Sequence, residues 1–349
     1  MRVLVIRPGA LGDVLLTLPA LQCLSAAFPQ ASIELMGNLS VLEWLPGRSV
    51  PQRVSSFDRA DLATLFLPEP GPAAVLGAYL DSFDLILSYV TAPEHLFARN
   101  LARLSRGRLL SLDTRPPEVQ GHMSAYLQRP LEGLGIALCT GYPALKLTSA
   151  DYQEAGHWWK AHALEGRDVI AVHPGSGSRA KNWPAARFAA VARRLQQERS
   201  AGILLVAGPA DEMAVAEVLQ QMDGGFSRNE PWPAASATSA RLVREVILLR
   251  DLPFPLLAAV LTRCQVYLGN DSGISHLAAA SGVPTVAVFG PTDPEVWAPR
   301  GPAVRVVRSE STCAPCTSQR RQACPQRVCL EAVSTEAVLD AIATLAVHG

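Results

Sequence analysis

A loop with the composition of a phosphate-binding site follows a predicted strand at residues 168–173. Glycine and serine amides can approach a phosphate closely, and lysine or arginine can neutralise its charge. The loop supplies both kinds of group, in Gly175, Ser176, Gly177, Ser178, Arg179 and Lys181. A flexible, solvated loop is the alternative interpretation. A nicotinamide-binding turn is disfavoured, because Pro184 favours a helix that begins after the glycines.

A second anion site is predicted where residues 269–280 follow the strand at 265–268 and open a helix. Free N–H groups at a helix start favour a negatively charged ligand. The residues concerned are Asp271, Ser272, Gly273 and His276, with Thr292 and Asp293 after the next strand. In the alternative interpretation Asp271 or Ser272 only caps the helix, and His276 is an ordinary helix residue.

The first predicted strand ends in a turn that carries two glycines and an acid. Gly9 and Gly12 would let backbone amides approach a ligand, and Asp13 lies at the start of a predicted helix at residues 13–27. Taken alone, Asp13 is best interpreted as an N-cap, because an aspartate there accepts hydrogen bonds from free amides. The turn matches neither a dinucleotide fingerprint nor a Walker loop.

Four cysteines in the C-terminal part of the chain have a spacing that could bind zinc. They are Cys313, Cys316, Cys324 and Cys329, in the pattern Cys-x2-Cys-x7-Cys-x4-Cys. Four thiolates can hold a zinc ion tetrahedrally, and its role would then be structural. The alternative is a set of packed or free thiols, since disulfides are less expected in a reducing cytosol.

A basic helical face is predicted from the spacing of Arg99, Arg103 and Arg106. Residues three and four positions apart share one face of a helix. Such a face could bind a phosphorylated acceptor or an anionic membrane surface. A solvated face without a ligand is the alternative. Arg99 and Arg103 are therefore candidate acceptor-side residues.

The composition excludes several classes of protein. The chain has 349 residues, of which 49% are apolar and 18% charged, so about two globular domains are expected and disorder is not. Its 31 basic and 31 acidic residues leave no net charge, and hence no basic field that indicates nucleic acid. No apolar run is long enough for a membrane span and the start does not resemble a signal peptide, so a cytoplasmic protein with mostly reduced cysteines is expected.

Short apolar runs alternate with helical patterns along the chain, which predicts βαβ units and parallel sheets. Strands are predicted at residues 2–6, 32–36, 84–88, 168–173, 203–207, 242–248, 265–268 and 285–289. Helices are predicted at residues 13–27, 184–197, 211–221, 255–263 and 272–280. The pattern favours two doubly wound α/β domains, 1–150 and 151–349, which join near residues 145–155. The second would hold a surface loop at 224–240, the cysteine-rich segment 313–329 and a final helix.

Three motifs, in their order along the chain, resemble the heptosyltransferase family, which is glycosyltransferase family 9. They are Arg7-x-Gly9-Ala10-x-Gly12-Asp13, His173-Pro174-Gly175 followed by Lys181-x-Trp183-Pro184, and Gly269-Asn270-Asp271-Ser272-Gly273-x-x-His276-Leu277-Ala278-Ala279-Ala280 followed by Phe289-Gly290-Pro291-Thr292-Asp293-Pro294. The resemblance spans nearly the whole chain. It implies a GT-B fold, in which two Rossmann-like domains face a central cleft. It also implies an inverting, metal-independent transfer of heptose from ADP-heptose to a lipopolysaccharide core or another cell-envelope glycan.

The resemblance further implies roles for the residues at matching positions. Asp13 would be the general base, in an N-terminal domain that binds the acceptor through the turn of Gly9 and Gly12. The C-terminal domain would bind the donor, with Lys181 at its diphosphate. The other donor-binding residues would be Ser176, Gly177, Asp271, Ser272, Gly273, His276, Thr292 and Asp293.

The acceptor stays open, because residues 38–120 match no subfamily. The expected partners are an ADP-sugar and a lipid-linked or oligosaccharide acceptor, with peripheral contact with the inner membrane and without nucleic acid. No cofactor is expected for catalysis. Two other functions compete with glycosyl transfer: a nucleotide-sugar epimerase of similar fold, and a non-catalytic protein that binds a nucleotide sugar.

Overall fold

The structure is a computed structural model, and it describes residues 1–69, 74–91, 95–114, 120–223, 240–243 and 246–346. The chain divides into two compact units, unit 1 (Met1–Lys146) and unit 2 (Leu147–Gly349). Within the described ranges, no helix is both long and apolar enough to cross a membrane.

Unit 1 is built on a parallel sheet of five strands. In chain order they are β1 (Arg2–Ile6), β2 (Ser32–Gly37), β3 (Arg53–Ser56), β4 (Leu85–Ser88) and β5 (Arg108–Ser111). Their order in the sheet is β3-β2-β1-β4-β5, and every pairing is parallel. In a doubly wound sheet of this order, ligands bind at the carboxyl ends of the strands where the order reverses, here β1 and β4.

Helices cover this sheet and complete the core of unit 1. They are α1 (Leu11–Ala27), α2 (Leu39–Leu42), α3 (Ala60–Ala63), α4 (Ala74–Leu80), α5 (Leu96–Leu104), α6 (Met123–Tyr126) and α7 (Arg129–Glu132), with a 3₁₀ helix at Thr64–Phe66. Leu4 and Ile6 of the central strand pack in one fully buried cluster with Phe97 of α5. Helix α1 begins at Leu11 rather than at residue 13, which places Asp13 inside the first turn instead of at the N-cap.

A disulfide joins two distant parts of unit 1. Cys23 of α1 and Cys139 are bonded, with their Cα atoms 5.8 Å apart, and the other five cysteines are free. The pair is separated by 116 residues in the sequence, and the packing of α1 against α6 brings the two parts of the chain together. The sequence, which indicates reduced thiols, does not reveal it.

Unit 2 holds a sheet of seven strands. They are β6 (Val169–His173), β7 (Gly202–Ala207), β8 (Ala240–Val243), β9 (Val246–Arg250), β10 (Val266–Asn270), β11 (Thr285–Phe289) and β12 (Val304–Arg308). The order is β12-β11-β10-β6-β7-β9-β8, and only the pairing of β8 with β9 is antiparallel. The strands β6, β10 and β11 are buried at every position, as expected for parallel strands covered on both faces. The order reverses between β6 and β10.

The helices of unit 2 alternate with these strands. They are α8 (Ser149–Ala161), α9 (Ala185–Arg199), α10 (Glu212–Asp223), α11 (Phe254–Leu261), α12 (Gly273–Ala280), α13 (Pro294–Trp297), α14 (Ser318–Ala323), α15 (Val328–Glu331) and α16 (Thr335–Ala346). Thr148 and Asp151 exchange hydrogen bonds at the start of α8 and so fix where unit 2 begins its first helix.

Most predicted elements are confirmed to within two or three residues, but one strand is wrong. The apolar run at 242–248 is split between β8 and β9, which pair with each other in antiparallel fashion. Apolar spacing alone does not reveal a reversal of chain direction inside such a run. Of the predicted loop at 224–240, only the last residue lies among the described residues, and it begins β8.

Candidate functional site

The turn after β1 holds the carboxylate of Asp13 by two hydrogen bonds. Oδ1 accepts from Nη2 of Arg7 at 3.0 Å, and Oδ2 accepts from the backbone N–H of Ala10 at 3.1 Å. The Asp13 side chain nevertheless remains 38% exposed. Because a carboxylate oxygen can accept more than one hydrogen bond, Asp13 is anchored and still able to accept a proton from a bound molecule.

Glycine is required at position 9 for this arrangement. A Cβ at Gly9 would lie 2.8 Å from Cβ and 2.9 Å from Oδ2 of Asp13. Any other side chain would therefore displace the carboxylate. Gly12 is part-buried in the first turn of α1, next to Asp13. The acceptor-side roles of both glycines stay predictions.

In unit 2, the loop after β6 is fastened to the end of β10 by one buried amide. Oδ1 of Asn270 accepts from the backbone N–H of Trp183 at 2.9 Å, and Nδ2 donates to the carbonyl oxygen of Pro174 at 2.8 Å. Asn270 is fully buried, so both ends of its amide are matched away from water. The amide thus holds both ends of the loop that carries Lys181.

Lys181 reaches Asp271, the residue after β10. Its Nζ lies 3.1 Å from Oδ2 of Asp271, and the hydroxyl of Thr292 donates to the same oxygen at 2.7 Å. The structure therefore brings together three predicted donor residues from the ends of three strands. Lys181 is 20% exposed and its ammonium has three donors, so it can hold Asp271 and a phosphate oxygen at once.

The start of α12 combines a cap with an anion-binding geometry. Ser272 is the N-cap, and its hydroxyl accepts from the N–H of Ser275 at 3.3 Å. The capping alternative is thus correct for Ser272, and Asp271 precedes the cap. The amides of Gly273 and Ile274 come before the first intrahelical bond and carry the positive end of the helix dipole. His276 is buried within the helix at 6% exposure.

Two predicted donor residues near this start use their side chains locally. Ser176 Oγ lies 2.6 Å from Oδ1 of Asn182, inside the loop after β6. Asp293 caps the short helix α13, where its carboxylate accepts from the N–H of Glu295 at 3.0 Å. Gly177 is exposed, and a Cβ there would have no atom within 4 Å. The loop backbone at Gly177 is therefore open to a ligand.

A hydrogen-bonded contact between His173 and Asp211, which the sequence analysis did not predict, packs against the loop at Gly175. Nε2 of His173 lies 3.0 Å from Oδ2 of Asp211, and the N–H of Gly208 donates to the same oxygen at 2.9 Å. Burial raises the pKa of Asp211, but the hydrogen bond and charge of His173, with the Gly208 N–H, hold this pKa below its ordinary value. A Cβ at Gly175 would lie 1.8 Å from Oδ1 of Asp211, so glycine is required there.

Two arginines near Lys181 have partners other than Asp271. Nη2 of Arg179 pairs with Glu217 of α10 at 3.1 Å, so its side chain does not join the Lys181–Asp271 pair. Arg327, from the cysteine-rich segment, donates to the carbonyl oxygen of Arg179 at 3.1 Å. Arg327 was not predicted, and its separation of 148 residues from Arg179 leaves no local signal.

A cavity of about 450 Å³ opens beside Thr292 and Asp293. Its other lining residues are Gly290, Arg308, Ser309, Glu310, Ser311, Ala314 and Pro315. The cavity begins at the carboxyl end of β11 and is lined mainly by hydroxyl and charged groups. It therefore offers hydrogen-bonding space next to the Lys181–Asp271 pair.

The predicted four-thiol zinc site is not formed. Cys313 lies 3.0 Å from the hydroxyl of Ser311, Cys316 donates to the carbonyl of Cys313, and Cys329 is buried in the core of unit 2. Burial raises the pKa of Cys329, and the three other thiols raise it further. Among the residues that the structure describes, no group of three His, Cys, Asp or Glu side chains is arranged to hold a metal ion. The thiols of Cys313 and Cys316 are directed to different partners.

The predicted basic face is shorter than expected. Arg99 and Arg103 are both exposed on α5, opposite the buried Phe97. Helix α5 ends at Leu104, so Arg106 lies beyond it, where its side chain pairs with Asp81 at 3.6 Å. The spacing predicted the face correctly for two of the three arginines.

Comparison with known proteins gives consistent matches. The model of glycosyltransferase family 9 (heptosyltransferase) matches residues 98–325. Lipopolysaccharide heptosyltransferase 2 of Salmonella typhimurium is 26% identical over 341 residues, which cover 88% of each chain. A family 9 glycosyl transferase from Veillonella parvula has a TM-score of 0.76 at 21% identity, over 100% of this chain and 98% of that one. The structure of ADP-heptose lipopolysaccharide heptosyltransferase II from Escherichia coli gives 0.70 at 20% identity, over 100% and 99%.

The two α/β units, whose sheets are parallel except for the pairing of β8 with β9, and the likeness to these two solved structures define the fold as GT-B. The family model and the curated relatives define the class: this is a glycosyltransferase. Within that class the chain belongs to glycosyltransferase family 9, the heptosyltransferase family, whose model covers well over half of it. The epimerase and the non-catalytic binder are thereby set aside as primary functions.

Proposed function

We propose that this enzyme transfers heptose from ADP-heptose to a lipopolysaccharide core acceptor with inversion and without a catalytic metal. Support for the sugar and acceptor comes from the names of its full-length relatives. Support for the donor type comes from the Lys181–Asp271–Thr292 cluster, which is the observation that carries the proposal. The cluster joins a cation to a helix start, and together these suit a diphosphate.

In this proposal unit 2 binds the donor. Lys181 contacts the diphosphate, while the amides of Gly273 and Ile274 face its oxygens at the positive end of α12. Asp271 holds Lys181 in place, and its carboxylate is proposed to contact the sugar hydroxyls. Negative charge grows on the diphosphate as its bond to the sugar breaks, and a fixed cation and fixed amides stabilise that charge. These groups would stabilise the negative charge of the leaving diphosphate, which a bound metal ion does in other sugar-nucleotide sites.

Unit 1 supplies the base. Asp13 accepts the proton of the acceptor hydroxyl while the hydroxyl oxygen attacks the anomeric carbon. The ADP leaves from the opposite face of the sugar, so the new bond has inverted configuration. The support is the exposed carboxylate, held on both oxygens yet open on one side.

The acceptor is proposed to contact α5 of unit 1 at the inner-membrane surface, where a lipid-linked core would be presented. Arg99 and Arg103 are exposed there and can pair with phosphates of the acceptor. Replacing both with alanine should raise the KM for a phosphorylated acceptor and leave the KM for the donor unchanged. An unaltered KM for the acceptor would show that this face is solvated and does not bind the acceptor.

Calorimetry with ADP, UDP, GDP and ADP-heptose tests the donor assignment, and a transfer assay with lipopolysaccharide core acceptors tests the reaction. We expect selective binding of ADP and ADP-heptose, and transfer only when an acceptor is present. A preference for UDP or GDP would overturn the donor. Epimer formation without acceptor would favour an epimerase, and donor binding without turnover on any core acceptor would contradict the proposed acceptor.

A further inference from the structure

Unit 1 buries an arginine beside its proposed base. Arg7 follows β1, and its side chain is only 5% exposed. Its Nη2 lies 3.0 Å from Oδ1 of Asp13, its Nε lies 3.2 Å from the hydroxyl of Thr17, and its guanidinium lies 6.0 Å from the ring centre of Tyr89. Burial lowers the pKa of Arg7, and the charge of Asp13 opposes that shift.

A buried guanidinium is not explained by stability alone. Removing a charge from water costs several kcal/mol, and an apolar side chain of similar volume often serves a protein core as well or better. The guanidinium nevertheless contacts three side chains, those of Asp13, Thr17 and Tyr89. Of these, only Asp13 is substantially exposed to solvent.

The contacts constrain the Asp13 carboxylate in a specific way. Oδ1 is turned inward to Arg7, whereas the contact of Oδ2 with the Ala10 N–H lies at an exposed position. Gly9 leaves no room for a substituent on the side of Oδ2. The carboxylate plane is therefore fixed, with Oδ2 presented outward.

We propose that Arg7 is a positioning residue for Asp13: it fixes the carboxylate so that Oδ2 faces the acceptor hydroxyl. The proposal rests on the role of Asp13 as the general base. Arg7 itself is too buried to touch a substrate, so it acts only through Asp13. A reacting group displaced by about 1 Å can lose roughly 10²-fold in rate, which sets the expected size of the effect.

The test uses Arg7→Met and Arg7→Lys in the full chain. Arg7→Met should lower kcat by roughly 10²-fold while the ADP affinity and the donor KM stay unchanged. Arg7→Lys should recover part of that loss, because lysine keeps the charge but loses the planar fork. The matched control is Arg59→Met, which removes the arginine of another Arg–Asp pair in unit 1, with Asp61 at 2.6 Å, and should leave kcat unaltered.

A double-mutant cycle separates positioning from a general structural effect. In an Asp13→Asn background, Arg7→Met should cause no further loss of kcat, because residues that act as a unit are not additive. An equal loss in both backgrounds, or an unchanged kcat in folded Arg7→Met, would overturn the proposal.

The same cycle measured by unfolding free energy needs no substrate. If the unfolding free energies of Arg7 and Asp13 variants are coupled but the wild-type enzyme is inactive on ADP-heptose, the proposed function is refuted. The interaction between Arg7 and Asp13 would still be established. No coupling in unfolding would overturn the inference even if ADP-heptose transfer is confirmed. The two failures are thus distinguishable, and a variant that does not fold is replaced by Arg7→Lys in both cycles.

Discussion

The two proposed parts of the active site are built from contacts of very different sequence range. Around Asp13, the partners Arg7 and Ala10 lie six and three residues away. Around Lys181, the partner Asp271 lies 90 residues away. The nearby Trp183 is held by Asn270, which lies 87 residues from Trp183. One site is thus a property of a single strand-to-helix turn, and the other exists only when the sheet of unit 2 is assembled.

This difference determines how each region should respond to substitution. Changes at Asp13 itself should alter chemistry with little effect on the rest of the fold, since both contacts of its carboxylate lie within one strand-to-helix turn. Changes under the loop of Lys181 should alter stability and donor affinity together, because the buried amide of Asn270 ties this loop to the end of β10, which pairs with β6.

The largest expected effect comes from Asp13→Asn. We expect kcat to fall by roughly 10²–10⁴-fold, because the amide cannot accept the acceptor proton. Calorimetric ADP affinity should remain that of the wild type, since the proposed donor site lies in unit 2. Asp61→Asn, at the other Arg–Asp pair of unit 1, is the control and should retain normal kcat. Near-normal turnover by folded Asp13→Asn would remove it as the base.

The second-largest effect is a loss of stability, and two glycines of the loop after β6 provide a variant and its matched control. Gly175→Ala should lower the free energy of unfolding by about 1–3 kcal/mol and weaken ADP binding, because its Cβ collides with Asp211. Gly177→Ala should leave that free energy unchanged, because nothing lies within 4 Å of its Cβ. Chemical denaturation of both variants checks this. Equal stability of the two proteins would show that Asp211 moves aside without loss.

The range of contacts also explains what the sequence could and could not predict. Apolar periodicity and glycine positions predicted the strand, turn and helix around Asp13, with an error of two residues at the helix start. Motif resemblance selected Lys181 and Asp271, but not the amide of Asn270 that holds the loop. His173–Asp211 and Arg327 were missed as supports, because a partner 38 or 148 residues away is known only from the sheet order and loop paths.

The four cysteines show that residues close in sequence can also mislead a prediction. Their spacing is compatible with zinc, yet spacing does not determine where each thiol points. Cys329 packs into the core of unit 2, while Cys313 and Cys316 make hydrogen bonds to nearby polar atoms. The spacing of a short motif shows that its residues are close in sequence. Whether they form a metal site also depends on whether their side chains converge on one point, and packing in the surrounding core determines that.

A third effect should be confined to the donor. Lys181→Ala is expected to raise the Kd for ADP by roughly 10- to 100-fold, the range for loss of a charge-assisted hydrogen bond. Lys160→Ala, which removes an exposed lysine of α8, is the control and should leave the Kd unchanged. Calorimetry measures both. An unchanged Kd in Lys181→Ala would contradict the contact between Lys181 and the diphosphate.

The smallest effect is expected at Arg179, the second cation of the loop that carries Lys181. Arg179→Ala should change the Kd for ADP by less than about 2-fold and stability by less than about 1 kcal/mol. Its side chain is 65% exposed and pairs with Glu217 on α10, away from Asp271. Glu217→Gln removes the charge partner of Arg179, and it should likewise leave the Kd for ADP unchanged in calorimetry. If Arg179→Ala weakened ADP as much as Lys181→Ala, the loop would have to reorient on binding, and its contacts with Arg327 and Asn270 would then have to break.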